Sequence, residues 1–184
     1  AATRIIMGID PGLAHTGWGV VHQKGASLSC IAYGCVATQS AMPLHERLAK
    51  IYTQISAVVL RYKPECVAVE TVWFGSNAQS AFATGQARGA ALTACGQASM
   101  ALAEYSSQIK LAVVGAGSAD KGQVQYMVQQ VLGLEKIPSP DHAADALAAA
   151  ICYTIIGFLG KGGCAVISFL RGTIAALFVD SVVI

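Results

Sequence analysis

The spacing of apolar positions changes several times along the chain, and each change marks an element. Ile5, Ile6, Met7 and Ile9 form a short run that ends at Asp10-Pro11-Gly12, the pattern of a buried strand closed by a turn. Pro11 has no N–H to give a ladder and Gly12 accepts positive φ, so the chain reverses there. Gly17-Trp18-Gly19-Val20-Val21 resumes as the second strand of a hairpin, and residues 29–38 alternate as a third antiparallel strand. The spacing then lengthens to the helical period at Leu44, Leu48, Ile51, Ile55, Val58 and Val59, opening at Pro43 and stopping at Pro64. Cys66-Val67-Ala68-Val69 returns to a buried strand, and like the first it ends on a carboxylate, Glu70.

In the second half the pattern is softer. Asn77 is expected to cap a long helix reaching about Ala103, with Ala81, Gly85, Gly89, Ala90, Ala94 and Gly96 along its face. So many small residues cost helix propensity, and they predict the close approach of another helix, in the same subunit or in a twin; a homodimer is expected. Glu104-Tyr105 starts a short strand-like piece, and residues 109–115 lead into a Gly-rich loop. Ser118 is expected to cap a helix through about Leu132. Ser139 as N-cap with Pro140 at the first helical position opens the last helix, and Asp141 in its first turn suits the helix dipole. This alternation predicts an α/β domain with a mixed sheet.

Composition narrows the classes. A chain of 184 residues accommodates one well-buried domain. It is 54% hydrophobic and 12% charged with net charge +2, too weak a basic balance to argue for or against nucleic acid. The start lacks the pattern of a secretory signal. The six cysteines (Cys30, Cys35, Cys66, Cys95, Cys152 and Cys164) lack any metal-site spacing and read as reduced thiols of a cytoplasmic protein. Residues 146–160 are apolar and uncharged, yet shorter than the roughly 20 residues of a spanning helix, which favours a buried helix and no membrane association.

Candidate chemistry comes from the carboxylates. Taken singly, Asp10 is as well explained by a residue starting a turn, and Asp145 by a solvated helix carboxylate. His142 and Asp145 stand three apart and share a helix face, and Asp145 is the single charged side chain of residues 143–160. Asp10 and Glu70 each end a buried strand, and the helix carrying Asp145 can pack beside them. Carboxylates brought together repel unless cations fill the space between them, and oxygens around divalent ions are the chemistry of phosphodiester cleavage.

Five separated motifs carry a resemblance. GIDPG…TGWGV, VETVW at 69–73, GQARG at 85–89, GSADKGQVQ at 117–125 and HAADALAAAI at 142–151 resemble the RuvC-type Holliday-junction resolvases, in the same order and over about residues 4–156. The resemblance implies a ribonuclease-H-like fold with a mixed five-stranded sheet flanked by helices. It also implies a homodimer and metal-dependent nicking of two opposed strands of a four-way DNA junction, in recombination and repair, leaving 5′-phosphate and 3′-hydroxyl ends. The expected cofactor is Mg²⁺, two per site, with Mn²⁺ as a substitute; the implied companion is the RuvA–RuvB branch-migration complex. Carried over by position, the catalytic and metal-binding residues fall on Asp10, Glu70, His142 and Asp145. His142 stands where many relatives have Asp, and this softer ligand removes one negative charge and shifts preference toward Mn²⁺. Asp141 is explained by the helix dipole and is not expected to be a ligand. The DNA contacts fall on Trp73, as a stacking aromatic, on Lys110 and Lys121 near the scissile phosphate, and on Arg88, for which a phosphate contact and a role in fixing a helix pair stay equally open.

The resemblance divides the chain into a nuclease domain over 1–157 and an atypical apolar tail over 158–184. The last residues, ISFLRGTIAALFVDSVVI, read as two strands and resemble the opening strands of RuvA; no function is assigned to them. Three other classes remain for comparison. Actin-like ATPases and sugar kinases share a GIDPG-type hairpin but need a second lobe. A nuclease of this fold acting on structured RNA keeps the same acids. A non-catalytic junction-binding protein is expected to have lost one.

Overall fold

The structure is a computed structural model, and it describes residues 3–71, 78–105, 108–115, 117–156, 176–177 and 182–183. The chain begins with β1 (Thr3–Asp10), β2 (His15–Lys24) and β3 (Ser27–Ala37), which form an antiparallel meander. Helix α1 (Leu44–Tyr62) follows and ends at Lys63 in the left-handed conformation, its N–H bonded to the Val59 carbonyl. Beyond it lie β4 (Cys66–Glu70), α2 (Ala78–Gln97) and β5 (Ala101–Tyr105), then α3 (Gln108–Val114), α4 (Lys121–Leu132) and α5 (Asp141–Ile156). The five-stranded sheet has the order β3-β2-β1-β4-β5, with β4 parallel to both β1 and β5. The expected mixed five-stranded sheet flanked by helices is what the chain forms. The two-residue strands β6 (Ala176–Leu177) and β7 (Val182–Val183) pair antiparallel with each other, within the segment where two strands were expected; the rest of the tail over 158–184 lies outside the described residues.

Strand alternation assigns each side chain to a layer. Met7, Ile9, Val20, Val67 and Val69 pack on one face with Ile51 and Ile55 of α1 and Ala87 and Ala91 of α2. Ile6, Val21, Cys66 and Ala68 pack on the other with Val124 and Val128 of α4 and Leu147 and Ile151 of α5. Continuing the alternation by one step past Ile9 and Val69 turns Asp10 and Glu70 to the α5 face, at the ends of adjacent parallel strands. Ile9 pairs with Val69, so the two acids occupy the next rank together.

Helix α5 reaches this face closely because the strands carry glycine beneath it. A methyl on Gly8 would lie 1.8 Å from the Ala146 carbonyl oxygen, and one on Gly17 would lie 1.9 Å from that of His142. Those two positions allow backbone to rest on backbone. They fix α5 so that its first turn crosses the end of β1.

Four details depart from the sequence reading. Helix α2 stops at Gln97, and residues 101–103, expected to be helical, are paired in β5. Residues 109–114, expected to lead into a loop, belong to helix α3, with Ile109 and Val113 buried against the α5 side of the core. The cap of α4 is Asp120 and not Ser118: its carboxylate accepts from Gln123 N–H, while the Gln123 side chain accepts from Asp120 N–H, the reciprocal capping box. Pro140 precedes the first residue of α5, with its carbonyl accepting from Ala143 N–H at 2.9 Å. The proposed Asn77 cap lies outside the described residues.

Candidate metal centre

Three ligand-bearing side chains from opposite ends of the chain converge at the mouth of the β1–α5 contact. Asp10, His142 and Asp145 each offer one ligand atom, and these atoms all lie within 4.8 Å of one another. His142 Nδ1 and Asp10 Oδ2 share a hydrogen bond at 2.8 Å. Partial burial raises the Asp10 carboxyl above the ordinary aspartate value; His142 pulls it down by its hydrogen bond, and the Asp145 charge pushes it up again. Two carboxylate oxygens and an imidazole nitrogen are a suitable donor set for a divalent transition metal or Mg²⁺.

Glu70 stands beside this trio and is not one of the three. It ends β4 with part of the residue open to solvent. It lines, with Lys110, Lys121 and Asp145, a cleft of about 210 Å³, and, with Asp10, Pro11 and Thr84, a second depression of about 120 Å³. Its carboxyl is raised above the usual glutamate value, first by shielding from bulk water and then by the charges of Asp10 and Asp145, with Lys110 opposing them. Glu70 thus bridges two hollows, each with an acid of the trio in its wall.

The cationic side of the cleft is built by α3 and α4. Lys110 projects from α3 into the 210 Å³ cleft. Lys121, the first residue of α4, places its ammonium 2.7 Å from Asp141 Oδ2 and 3.2 Å from Asp145 Oδ2. These contacts hold the ammonium above its ordinary pKa, and Lys121 in turn holds Asp141 below the usual carboxylate range. Sequence reasoning explained Asp141 by the helix dipole alone. Its contact with Lys121, twenty residues earlier, has no local signature.

Two expected contact residues remain, Arg88 and Trp73. Arg88 is joined through its guanidinium to Glu104 of β5, with a side chain only 20% exposed. This bond ties α2 to the sheet edge, so the guanidinium is engaged within the fold. Trp73 falls in residues 72–77, outside the described residues. Among the described residues no helix is long and apolar enough to cross a membrane. One neighbour of the site was missed: the ring of His15, at the start of β2, stacks on that of His142 with centroids 5.3 Å apart and planes 8° from parallel.

A metal-dependent contribution to stability follows from the raised carboxyl values. A carboxyl whose folded pKa exceeds its unfolded one stabilises the fold below the unfolded pKa, and that contribution is lost as pH rises through the folded value. In metal-free protein, Asp10 and Glu70 are therefore a burden at neutral pH. Mn²⁺ at about 100 times its dissociation constant is expected to add about 2.7 kcal/mol, which corresponds to a rise of roughly 5–10 °C in Tm at this chain length. The rise, read by scanning calorimetry, is expected near pH 7.5 and to fade on acidification through the raised carboxyl values.

Comparisons with known proteins point to one family. The family model described as "Crossover junction endodeoxyribonuclease RuvC" matches residues 6–153. A relative of that name from Desulforamulus reducens is 48% identical over 150 residues, 81% of this chain and 92% of its own length. Another from Treponema pallidum is 47% identical over 150 residues, 81% of this chain and 76% of its own length. Among solved structures, T. thermophilus RuvC in complex with Holliday junction substrate aligns with a TM-score of 0.82 at 37% identity, covering 86% of this chain and 97% of that one.

Proposed function

Because the chain belongs to the RuvC family of crossover junction endodeoxyribonucleases, we propose that it resolves four-way DNA junctions by hydrolysing a phosphodiester in each of two opposed strands. The observation that carries this reading is the convergence of Asp10, His142 and Asp145 within 4.8 Å, with Lys110 and Lys121 on the wall of the adjoining cleft. In this reading Asp10, His142 and Asp145 would hold one divalent ion, and Glu70, which shares one hollow with Asp145 and another with Asp10, would help to hold a second. Mg²⁺ is the expected ion, and the imidazole ligand favours Mn²⁺ as an effective substitute. A bound ion supplies Lewis acidity, lowering the pKa of water and neutralising charge on a phosphate oxygen.

The protein's own side chains do the rest. Before an ion binds, His142 and Asp10 hold each other in place through their hydrogen bond. Lys110 and Lys121 sit where a phosphate entering the cleft meets two ammonium groups, positioned to stabilise the charge that grows on it during in-line attack. Lys121 is held by Asp141 even when Asp145 is engaged elsewhere, because its closer bond is to Asp141. Lys121→Met is expected to slow nicking about 100-fold, the scale of losing one preorganised stabilising group. The same variant is expected to bind Mn²⁺ no more weakly than the parent, since Asp145 loses a competitor; single-turnover kinetics and calorimetric titration separate the two.

Two partners extend the proposal. Phe82, Gly85, Gly89, Thr93 and Gly96 are exposed along one side of α2, and the three glycines have open space where a Cβ would stand, so α2 of a second copy can approach there and form a homodimer. A homodimer supplies two cutting sites for two opposed strands. Trp73 is assigned to base stacking, Arg88 to a DNA contact that requires release from Glu104, and RuvA–RuvB to delivery of the junction in the cytoplasm. Residues 1–157 are assigned to the nuclease domain and 158–184 to a tail without assigned role. The deciding experiment incubates the protein with a mobile synthetic four-way junction and Mg²⁺ or Mn²⁺. Paired symmetric nicks are expected, with no comparable cutting of linear duplex or structured RNA; cutting of RNA alone would overturn the substrate assignment.

A further inference from the structure

We propose that His15 is a positioning residue for the metal centre, acting through its stack on His142; the inference rests on the reading of His142 as a ligand. The geometry starts from β2. His15 and Gly17 are two apart on one strand and so lie on the same face. Gly17 brings that face against the His142 backbone, since a methyl there would stand 1.9 Å from the His142 carbonyl oxygen. The next side chain along that face, His15, therefore meets the next exposed surface of the α5 start, the His142 imidazole. The rings lie 5.3 Å apart and within 8° of parallel.

His15 has a firm base for this task although its ring is exposed. Thr16 Oγ1 donates to the Gly12 carbonyl at 2.7 Å, closing the turn before it. The Ala14 carbonyl accepts from Thr38 N–H at 2.9 Å, and Thr38 Oγ1 accepts from Arg47 Nε at 2.8 Å. His15 itself pairs with Ala37 across β2 and β3. The stacking plate is therefore anchored to the sheet, facing His142 in the first turn of α5.

The consequence is a ring fixed from two sides. The Asp10 hydrogen bond sets where Nδ1 points, and the stack sets the plane of the imidazole. A single hydrogen bond leaves the ring free to swing about its own axis. With the second restraint, His142 presents its nitrogen at one angle before any ion arrives, so less ordering is left to the binding step. Aromatic stacking of this kind needs a flat π-face and no particular heteroatom.

The test uses the full chain and Mn²⁺ itself. His15→Ala, His15→Phe and His142→Ala are titrated with Mn²⁺ by calorimetry without DNA, and the His142 ring resonances of metal-free protein are followed by NMR. His15→Ala is expected to weaken Mn²⁺ binding about threefold to tenfold, the scale of one aromatic stack, and to shift the His142 ring signals. His15→Phe is expected to restore affinity to within about twofold of the parent, since it keeps the stacking face. Unchanged affinity in His15→Ala, or failure of His15→Phe to restore it, overturns the inference while leaving His142 a ligand, provided His142→Ala binds Mn²⁺ weakly. Should His142→Ala bind Mn²⁺ as the parent does, the ligand reading itself fails.

Discussion

Asp10→Asn is expected to abolish junction cutting and, in the same molecule, to leave the metal-free fold at least as stable as the parent. The substitution keeps shape and an oxygen that accepts from His142, but removes the charge. The lost electrostatic stabilisation of the reaction is worth several kcal/mol, and at about 1.4 kcal/mol per tenfold this places the rate roughly 1,000-fold down. The stability change has the opposite sign for the same reason. The Asp10 carboxyl is raised because burial and the neighbouring Asp145 charge outweigh the help of His142, so its ionised form is a strain on the metal-free protein at neutral pH. Removing that charge relieves the strain; removing an ordinary, well-paired aspartate would not. Single-turnover nicking of a four-way junction and scanning calorimetry with chelator at pH 7.5 read both halves. A variant that cuts within tenfold of the parent would exclude Asp10 from the centre, and a marked fall in metal-free Tm would mean that its carboxylate is primarily structural.

Much of this arrangement was legible before the structure because it rests on local rules. The short apolar runs at 5–9 and 66–69, closed by turn residues, read as buried strands ending on Asp10 and Glu70; which face of the sheet each acid takes came only with the packing of the helices. The three-residue spacing of His142 and Asp145 gave their shared side of α5. What escaped depends on partners far along the chain. Residues 109–114, whose Val and Ile also suit a strand, form a helix with Ile109 and Val113, four apart, packed into the core beside α4 and α5. The bond between Arg88 and Glu104, the hold of Lys121 on Asp141 and the stack of His15 on His142 each join elements whose relative placement no propensity encodes. Glu70 illustrates the limit from the other side: its strand position was read correctly, but its carboxylate lies at the rim between two hollows and outside the three-residue group.

Gly17→Ala and Gly8→Ala are expected to damage stability and cutting together, without touching any side chain of the centre. An added methyl on Gly17 meets the His142 carbonyl oxygen at 1.9 Å, and one on Gly8 meets the Ala146 carbonyl oxygen at 1.8 Å. Both obstacles are helix backbone, which cannot turn aside as a side-chain tip can. To restore an ordinary contact α5 must lift from the sheet by an ångström or more. Overpacking of this kind costs about 3 kcal/mol, a fall of about 6–12 °C in Tm at this chain length. The lift also carries His142 and Asp145 away from Asp10, which stays on β1. A displacement of about 1 Å in a catalytic group costs on the order of 100-fold in rate, so the loss of cutting at a temperature where the variants remain folded measures the geometry of the centre directly. Gly117→Ala is the control: its methyl meets open space, and the expected change is within about 0.5 kcal/mol. If Gly17→Ala behaves like that control in both calorimetry and nicking, α5 does not rest on β2 as described, and the convergence of residues 10, 142 and 145 loses its structural cause.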